Sequence, residues 1–208
     1  MTDKEYYETR AIELLEEFFG LQNFINLDKP DLQNTIDDIG VEVRRAIDSE
    51  DGKREGYVNE NFTSGKTIEE KKEQLEKRKV QASVIDLGFA HVLIPKTSSD
   101  SSYIKDGYNK IVDSFFDKLR KLNGGGYQHF TTNALFLFCE HANEDWEIRS
   151  ITKDINDKLK SNSCSSYKLF DIVFFDTSQH LHKVQYDKVK NIYMLSETKD
   201  KPSPDVTT

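Results

Sequence analysis

Two short stretches decide how this chain folds: Lys29-Pro30-Asp31-Leu32, and, after the acidic turn Asp37-Asp38, Ile39-Gly40-Val41-Glu42-Val43-Arg44-Arg45-Ala46-Ile47. In the second, Ile39, Val41 and Val43 alternate with Gly40, Glu42 and Arg44, the period-2 pattern of a β-strand. Pro30 ends whatever precedes it and leaves Asp31 on or just before a neighbouring strand. Ten residues stand between Asp31 and Glu42, enough for a tight hairpin that brings both acids close together. Paired hard oxygens suit Mg²⁺ or Mn²⁺, which take one or two carboxylates and keep room for water and phosphate oxygens. A cation held there could activate water and offset charge on a scissile phosphate. Arg44, two residues beyond Glu42, shares its face and could grip that phosphate. Arg45 points the other way and reads as structural.

Upstream, residues 3–19 read as an amphipathic helix, with Tyr7, Ala11, Leu14, Leu15 and Phe18 on one stripe and Gly20 as its stop. Glu8 falls within the apolar arc of that helix, about 20° from Leu15 on a helical wheel. The stretch 24–27 is expected to be extended. Downstream, residues 48–65 read as a polar excursion and 67–80 as a peripheral helix dense in Glu and Lys. Residues 84–95 read as extended, with 90–94 the favoured strand, and 97–103 as a loop. A helix over 104–122 carries Tyr108, Ile111, Val112, Phe115, Phe116 and Leu119 on one face and ends at Gly124-Gly125-Gly126. Strands at 133–140, 169–176 and 192–195 and a helix at 146–160 complete the pattern, with a disordered tail expected over 196–208. The apolar run at 133–140 suits a strand covered on both faces. Strands separated by helices imply an α/β fold with a central mixed sheet flanked by helices. One domain over 1–195 is expected, with 48–103 as an insertion.

Composition narrows the classes. The chain has 208 residues, 32% of them charged, and a net charge of −8, which argues against a protein that binds nucleic acid chiefly through a broad basic surface. It leaves room for a nuclease, because divalent cations offset acids locally and basic patches can be small. No apolar run is long enough for a membrane helix, and the charged start, residues 1–8, lacks a signal-peptide core, so a cytoplasmic location is expected. Cys139 sits in an apolar run and reads as a buried free thiol; Cys164 lies in a Ser-rich turn, and two lone cysteines build neither a zinc cluster nor a disulfide framework.

The helix, then Pro30-Asp31, a hairpin and Glu42-Val43-Arg44 together resemble the core of the PD-(D/E)XK, or restriction-endonuclease-like, nucleases. The resemblance covers residues 5–47 and extends to later elements by order alone. It implies a core of helix, three strands, helix and strand, here with a helical insertion and a C-terminal α/β extension. It implies Asp31 and Glu42 as ligands of Mg²⁺ or Mn²⁺, a nucleic-acid substrate, DNA or RNA, and Glu8 as the acid contributed by the first helix. The chain departs from the family at one position: Arg44 stands where the family places a lysine, and a guanidinium does not act as a base. Arg44 could still neutralise transition-state charge, a lysine such as Lys66, Lys71 or Lys72 could reach in from elsewhere, or catalysis could be lost.

Competing readings are plain. The basic residues of 66–80 are interleaved with glutamates, which favours a solvated face. Lys118, Arg120 and Lys121 make a better basic patch, at a helix C-terminus where cations also suit the dipole. His180 and His182, two apart, are poor evidence for a metal pair. No Ser-His-Asp order is visible, and the Gly124-Gly125-Gly126 run lacks the Lys-Ser/Thr of a phosphate loop. The expectation is therefore a metal-dependent nuclease with catalytic Asp31, Glu42, Arg44 and Glu8, possible as a homodimer. The alternative is a catalytically inactive PD-(D/E)XK-like binding or interaction module.

Overall fold

The computed structural model describes residues 2–46, 57–58, 61–62, 65–80, 82–86, 91–95, 102–139, 142, 144–161 and 166–202. The chain divides into two compact units, Met1–Ala46 with Gly107–Thr208, and Ile47–Asp106. Glu140 and Cys164 lie outside the described residues.

The first unit opens with α1, Asp3–Phe19, started by a Thr2/Glu5 capping box and ended by Gly20 in the left-handed conformation at φ 65°. Strands β1 (Ile25–Asn26), β2 (Leu32–Asn34) and β3 (Ile39–Ala46) follow as an antiparallel meander. The turn between β2 and β3 is closed by Asn34, whose Oδ1 accepts the amides of Ile36 and Asp37 at 2.9 Å each. The chain re-enters the first unit at Gly107, within α3 (Ser102–Leu122), and continues through β6 (Thr132–Cys139), α4 (Asp145–Ser161), β7 (Ile172–Asp176), β8 (His180–Asp187) and β9 (Ile192–Asp200). The sheet order is β1-β2-β3-β6-β7-β8-β9, parallel at β3–β6–β7 and antiparallel toward both edges. This is a mixed seven-stranded sheet with helices on both sides.

Two cores lie on the two faces, and β6 shows how the sequence builds them. Leu135, Leu137 and Cys139 pack with Ile111, Phe115 and Leu119 of α3 and Ile148, Ile151 and Ile155 of α4. Ala134, Phe136 and Phe138 pack with Ala11, Leu14 and Leu15 of α1. Two crossovers that move in the same direction along a sheet, each right-handed, put their helices on one face, and α3 and α4 do share a core. Cys139 is buried, and its thiol donates to the Leu137 carbonyl at 3.5 Å.

The second unit contains α2 (Ile68–Lys77), capped by Thr67 and Glu70, and the antiparallel pair β4 (Ala82–Asp86) and β5 (His91–Pro95). Tyr57, Leu75, Val80, Ala82 and Val84 form its small core. The extended reading of 84–95 is thus two strands, not one.

At the C-terminal end the structure corrects the sequence reading twice. Residues 180–187 form β8, which the sequence reading had no strand for. Residues 196–200, placed in a disordered tail, extend β9. They are held by side chains: His180 Nδ1 lies 3.1 Å from Asp200 Oδ1, and His182 Nδ1 lies 3.2 Å from both Thr198 Oγ1 and Asp145 Oδ1. Lys201 adds an ion pair to Asp176 at 2.5 Å. The histidines clamp an edge strand to β8 and α4.

Candidate active site

The site forms where β2 and β3 part. β2 begins at Leu32, paired with Val41, so the amide of Val43 has run past the end of the ladder. The Asp31 carboxylate accepts it, with Val43 N to Asp31 Oδ2 at 2.9 Å. Asp31 therefore sits at the fork of the two strands, with Glu42 nearly opposite on β3. Both are buried, at 6% and 3% exposure.

Gly40 makes this approach possible. A Cβ built there would lie 2.5 Å from Phe130 Cδ2 and 2.7 Å from Pro30 Cγ. The Lys29 carbonyl accepts the amide of Gln128 at 3.1 Å, so segment 127–130 and the Pro30-Asp31 corner are packed as one piece over Gly40. Gly40→Ala should cost about 1–3 kcal/mol through overpacking, read as a lowered midpoint in thermal or urea unfolding; an unchanged midpoint would contradict this packing.

The residue that completes the site comes from α3. The Lys118 ammonium lies 3.2 Å from Asp31 Oδ2 and forms a short ion pair with Glu42 Oε2, and all three side chains are buried. The lysines of segment 66–80 belong to the second unit. Lys66 donates to Asn61 Oδ1 at 2.7 Å, and Lys71, expected on a solvated face, is buried with its ammonium 4.6 Å from the Phe62 ring. Lys72 is exposed.

Lys118 was visible as part of a basic cluster, and its more telling signal went unused. It is seven residues after Ile111, three after Phe115 and four before Leu122, so it falls inside the apolar stripe of α3. The same test singled out Glu8 on α1. A lysine is seldom fully buried without a partner, and here the partners are Asp31 and Glu42.

Glu8 is buried on α1, at 3% exposure. Its Oε2 accepts from Asn26 Nδ2 at 2.6 Å. Its Oε1 lies 3.3 Å from Lys4 Nζ, near enough for an ion pair but without hydrogen-bond alignment. Lys4 also lies 3.4 Å from Asp31 Oδ1, which links Glu8 to the central pair. Partial burial lowers the Lys4 pKa, but Glu8 and Asp31 outweigh it and hold the ammonium above the ordinary lysine value. Tyr127, which the sequence reading passed over, lies near Glu42. Burial first, then the charges of Glu42 and Asp31, push its phenol far above the ordinary tyrosine range, so it stays protonated.

Burial alone would raise the Asp31 pKa. Lys118, the Val43 amide and Lys4 outweigh that and hold it below the ordinary 3.8. A carboxylate whose folded-state pKa is depressed stabilises the fold fully above its unfolded value, and the contribution is lost as pH falls through the lower folded value. Asp31→Asn should therefore flatten the acid limb of the stability-versus-pH curve below about pH 4. An acid limb as steep as that of the parent protein would sink this assignment.

Arg44 is exposed and makes no ion pair or hydrogen bond through its side chain to any described residue. It lines a depression of about 450 Å³ with Asp117, Lys118, Arg120 and Lys121. Arg45 lies across the Tyr7 ring of α1, 5.2 Å from its centroid, the structural role expected of it.

Among the described residues, no group of three or more His, Cys, Asp or Glu side chains is spaced to hold a metal ion. The donor set nonetheless fits an ion that uses two carboxylates and water. Three buried carboxylates face two ammonium groups, of which Lys4 is largely exposed, and Glu8 Oε1 is buried without a hydrogen-bond donor. Mg²⁺ commonly takes only one or two protein carboxylates.

No family model, curated protein or solved structure matches the chain. The site must be read from its own chemistry. No helix among the described residues is long and apolar enough to cross a membrane.

Proposed function

We propose that the chain is a divergent PD-(D/E)XK-like phosphodiester hydrolase acting on nucleic acid, with Asp31, Glu42 and Lys118 as its active centre. The observation that carries this reading is the arrival of a buried lysine from α3 at the two acids on the strand fork. Arg44 occupies the strand position at which a lysine was expected, and Lys118 supplies the ammonium from the next helix instead. The order α1, β1–β3, α3, β6 agrees with the core implied by the resemblance.

Asp31 and Glu42 would hold Mg²⁺ or Mn²⁺, which when bound acidifies a water and offsets charge on the scissile phosphate. Lys118 places a positive charge beside the two acids, where it can steady the attacking oxygen and the pentavalent phosphate. The Val43 amide fixes the rotamer of Asp31 by donating to it, and the protonated phenol of Tyr127 lies near the Glu42 charge. Glu8 orients Lys4 and adds negative charge behind Asp31. Arg44, on the same face as Glu42, faces outward to receive a phosphate.

One observation favours the inactive alternative. Lys118 lies between Asp31 and Glu42, and a buried acid–lysine–acid triad can be a purely structural neutralisation. Incubation of the full chain with single-stranded and duplex DNA and with RNA, in Mg²⁺ or Mn²⁺, separates the two readings. The hydrolase reading expects cleavage that a chelator stops. Absence of cleavage of every polymer in both metals would leave only the structural triad.

A further inference from the structure

We infer that the depression rimmed by Arg44, Arg120 and Lys121, with Lys118 at its floor, is a subsite for backbone phosphates adjoining the bond to be cut. It is named next to the active centre on the strength of the hydrolase reading, but the binding itself requires neither metal nor turnover.

The depression is lined by four cationic side chains and one carboxylate, Asp117; Arg120 is ion-paired with Asp117 and Lys118 with Asp31 and Glu42, so Arg44 and Lys121 carry its open charge. The protein as a whole carries −8, so this concentration of positive charge is not a by-product of composition. Arg120 and Lys121 lie in the last turn of α3, where cations also favour the helix dipole. That explanation does not extend to Arg44, which projects from a strand. Neither Arg44 nor Lys121 spends its side-chain charge on any described residue. Lys118 and Lys121, three apart on α3, share a helix face, and Arg44 follows Glu42 by two on β3 and so shares its side of the sheet. The cationic track therefore starts at the buried ammonium of the active centre and runs outward. A guanidinium with open donors matches phosphate oxygens in a fork geometry.

At about 450 Å³ the depression has room for a phosphate or two with their sugars, not for the side of a duplex. Two neutralised phosphates on a single strand give a slope of log K against log salt of roughly −1.4. Because phosphate contacts read neither base nor sugar, single-stranded DNA and RNA should bind alike.

The test is fluorescence anisotropy of the full chain with labelled single-stranded DNA and RNA oligonucleotides of one sequence, in chelator, across a salt series. Wild type should bind both with that shallow slope. Arg44→Ala and Lys121→Ala, both at exposed positions, should each weaken binding roughly tenfold and make the slope shallower by about one unit or slightly less. Asp31→Asn should bind at least as tightly as wild type, since it removes a repelling charge. Absence of oligonucleotide binding, or wild-type affinity in both Arg44→Ala and Lys121→Ala, overturns the subsite. So does an acidic peptide of equal charge binding as tightly through the same two residues. If binding behaves as expected but no metal brings about cleavage, the subsite stands and the hydrolase reading falls.

Discussion

Lys118→Met should reduce metal-dependent cleavage by at least about a hundredfold, the order seen when one preorganised donor is removed from a developing oxyanion, while leaving divalent-metal binding intact or tighter. Among the described residues the ammonium is the one positive group in contact with both acids, 3.2 Å from Asp31 and in a short ion pair with Glu42. Its loss leaves two buried carboxylates facing each other, and breaking a buried ion pair from one side typically costs about 3–5 kcal/mol. The variant should therefore melt at lower temperature in chelator, and Mg²⁺ or Mn²⁺ should restore more stability to it than to wild type, because a ligand that binds only the folded state stabilises it by mass action. A purely structural triad predicts the same instability without the metal-dependent recovery. Melting curves with and without metal, alongside cleavage assays, distinguish the two.

Asp31→Ala should abolish both metal binding and cleavage, with a loss in turnover of about a thousandfold or more, because the several kcal/mol that a bound ion contributes are lost together. It also strips the Val43 amide of its acceptor at the end of the β2–β3 ladder, so Asp31→Asn, which keeps an acceptor oxygen there, is the informative partner. Asn should keep the fold close to wild type and still fail to bind metal in calorimetry. If Asp31→Asn titrates like wild type, Asp31 is not a ligand and the acid pair is a fold feature.

Much of this is legible in the sequence. Helix α1 was written in its apolar stripe and Gly20, and β3 in the alternation around Glu42. The pairing of Asp31 with Glu42 followed from Pro30 and a short turn. The two-faced burial of β6 was written in its unbroken apolar run. What failed has physical reasons. β8 serves both faces of the sheet, with Leu181 in one core and Val184 and Tyr186 in the other, and the buried His182 between Leu181 and Lys183 hides the period of 2. The end of β9 is charged, like many edge strands, and a register shift between Lys183 and Val184 leaves Ser196 as an extra residue. Its order comes from side chains 16 to 20 positions away, which no local pattern displays. Lys118 was missed because it was weighed with Arg120 and Lys121 as a patch, rather than by its place on the buried side of α3. Tyr127 gave no signal at all: its partnership with Glu42 depends on the docking of segment 127–130 against Lys29 and Pro30.

The most direct test of the account is the anomalous-diffraction map of crystals soaked in Mn²⁺. It should show one peak within ligand distance of both the Asp31 and Glu42 carboxylates, with the Lys118 ammonium moved out from between them toward Arg44. A map with no peak there, and Lys118 still clasped by both acids, would contradict it.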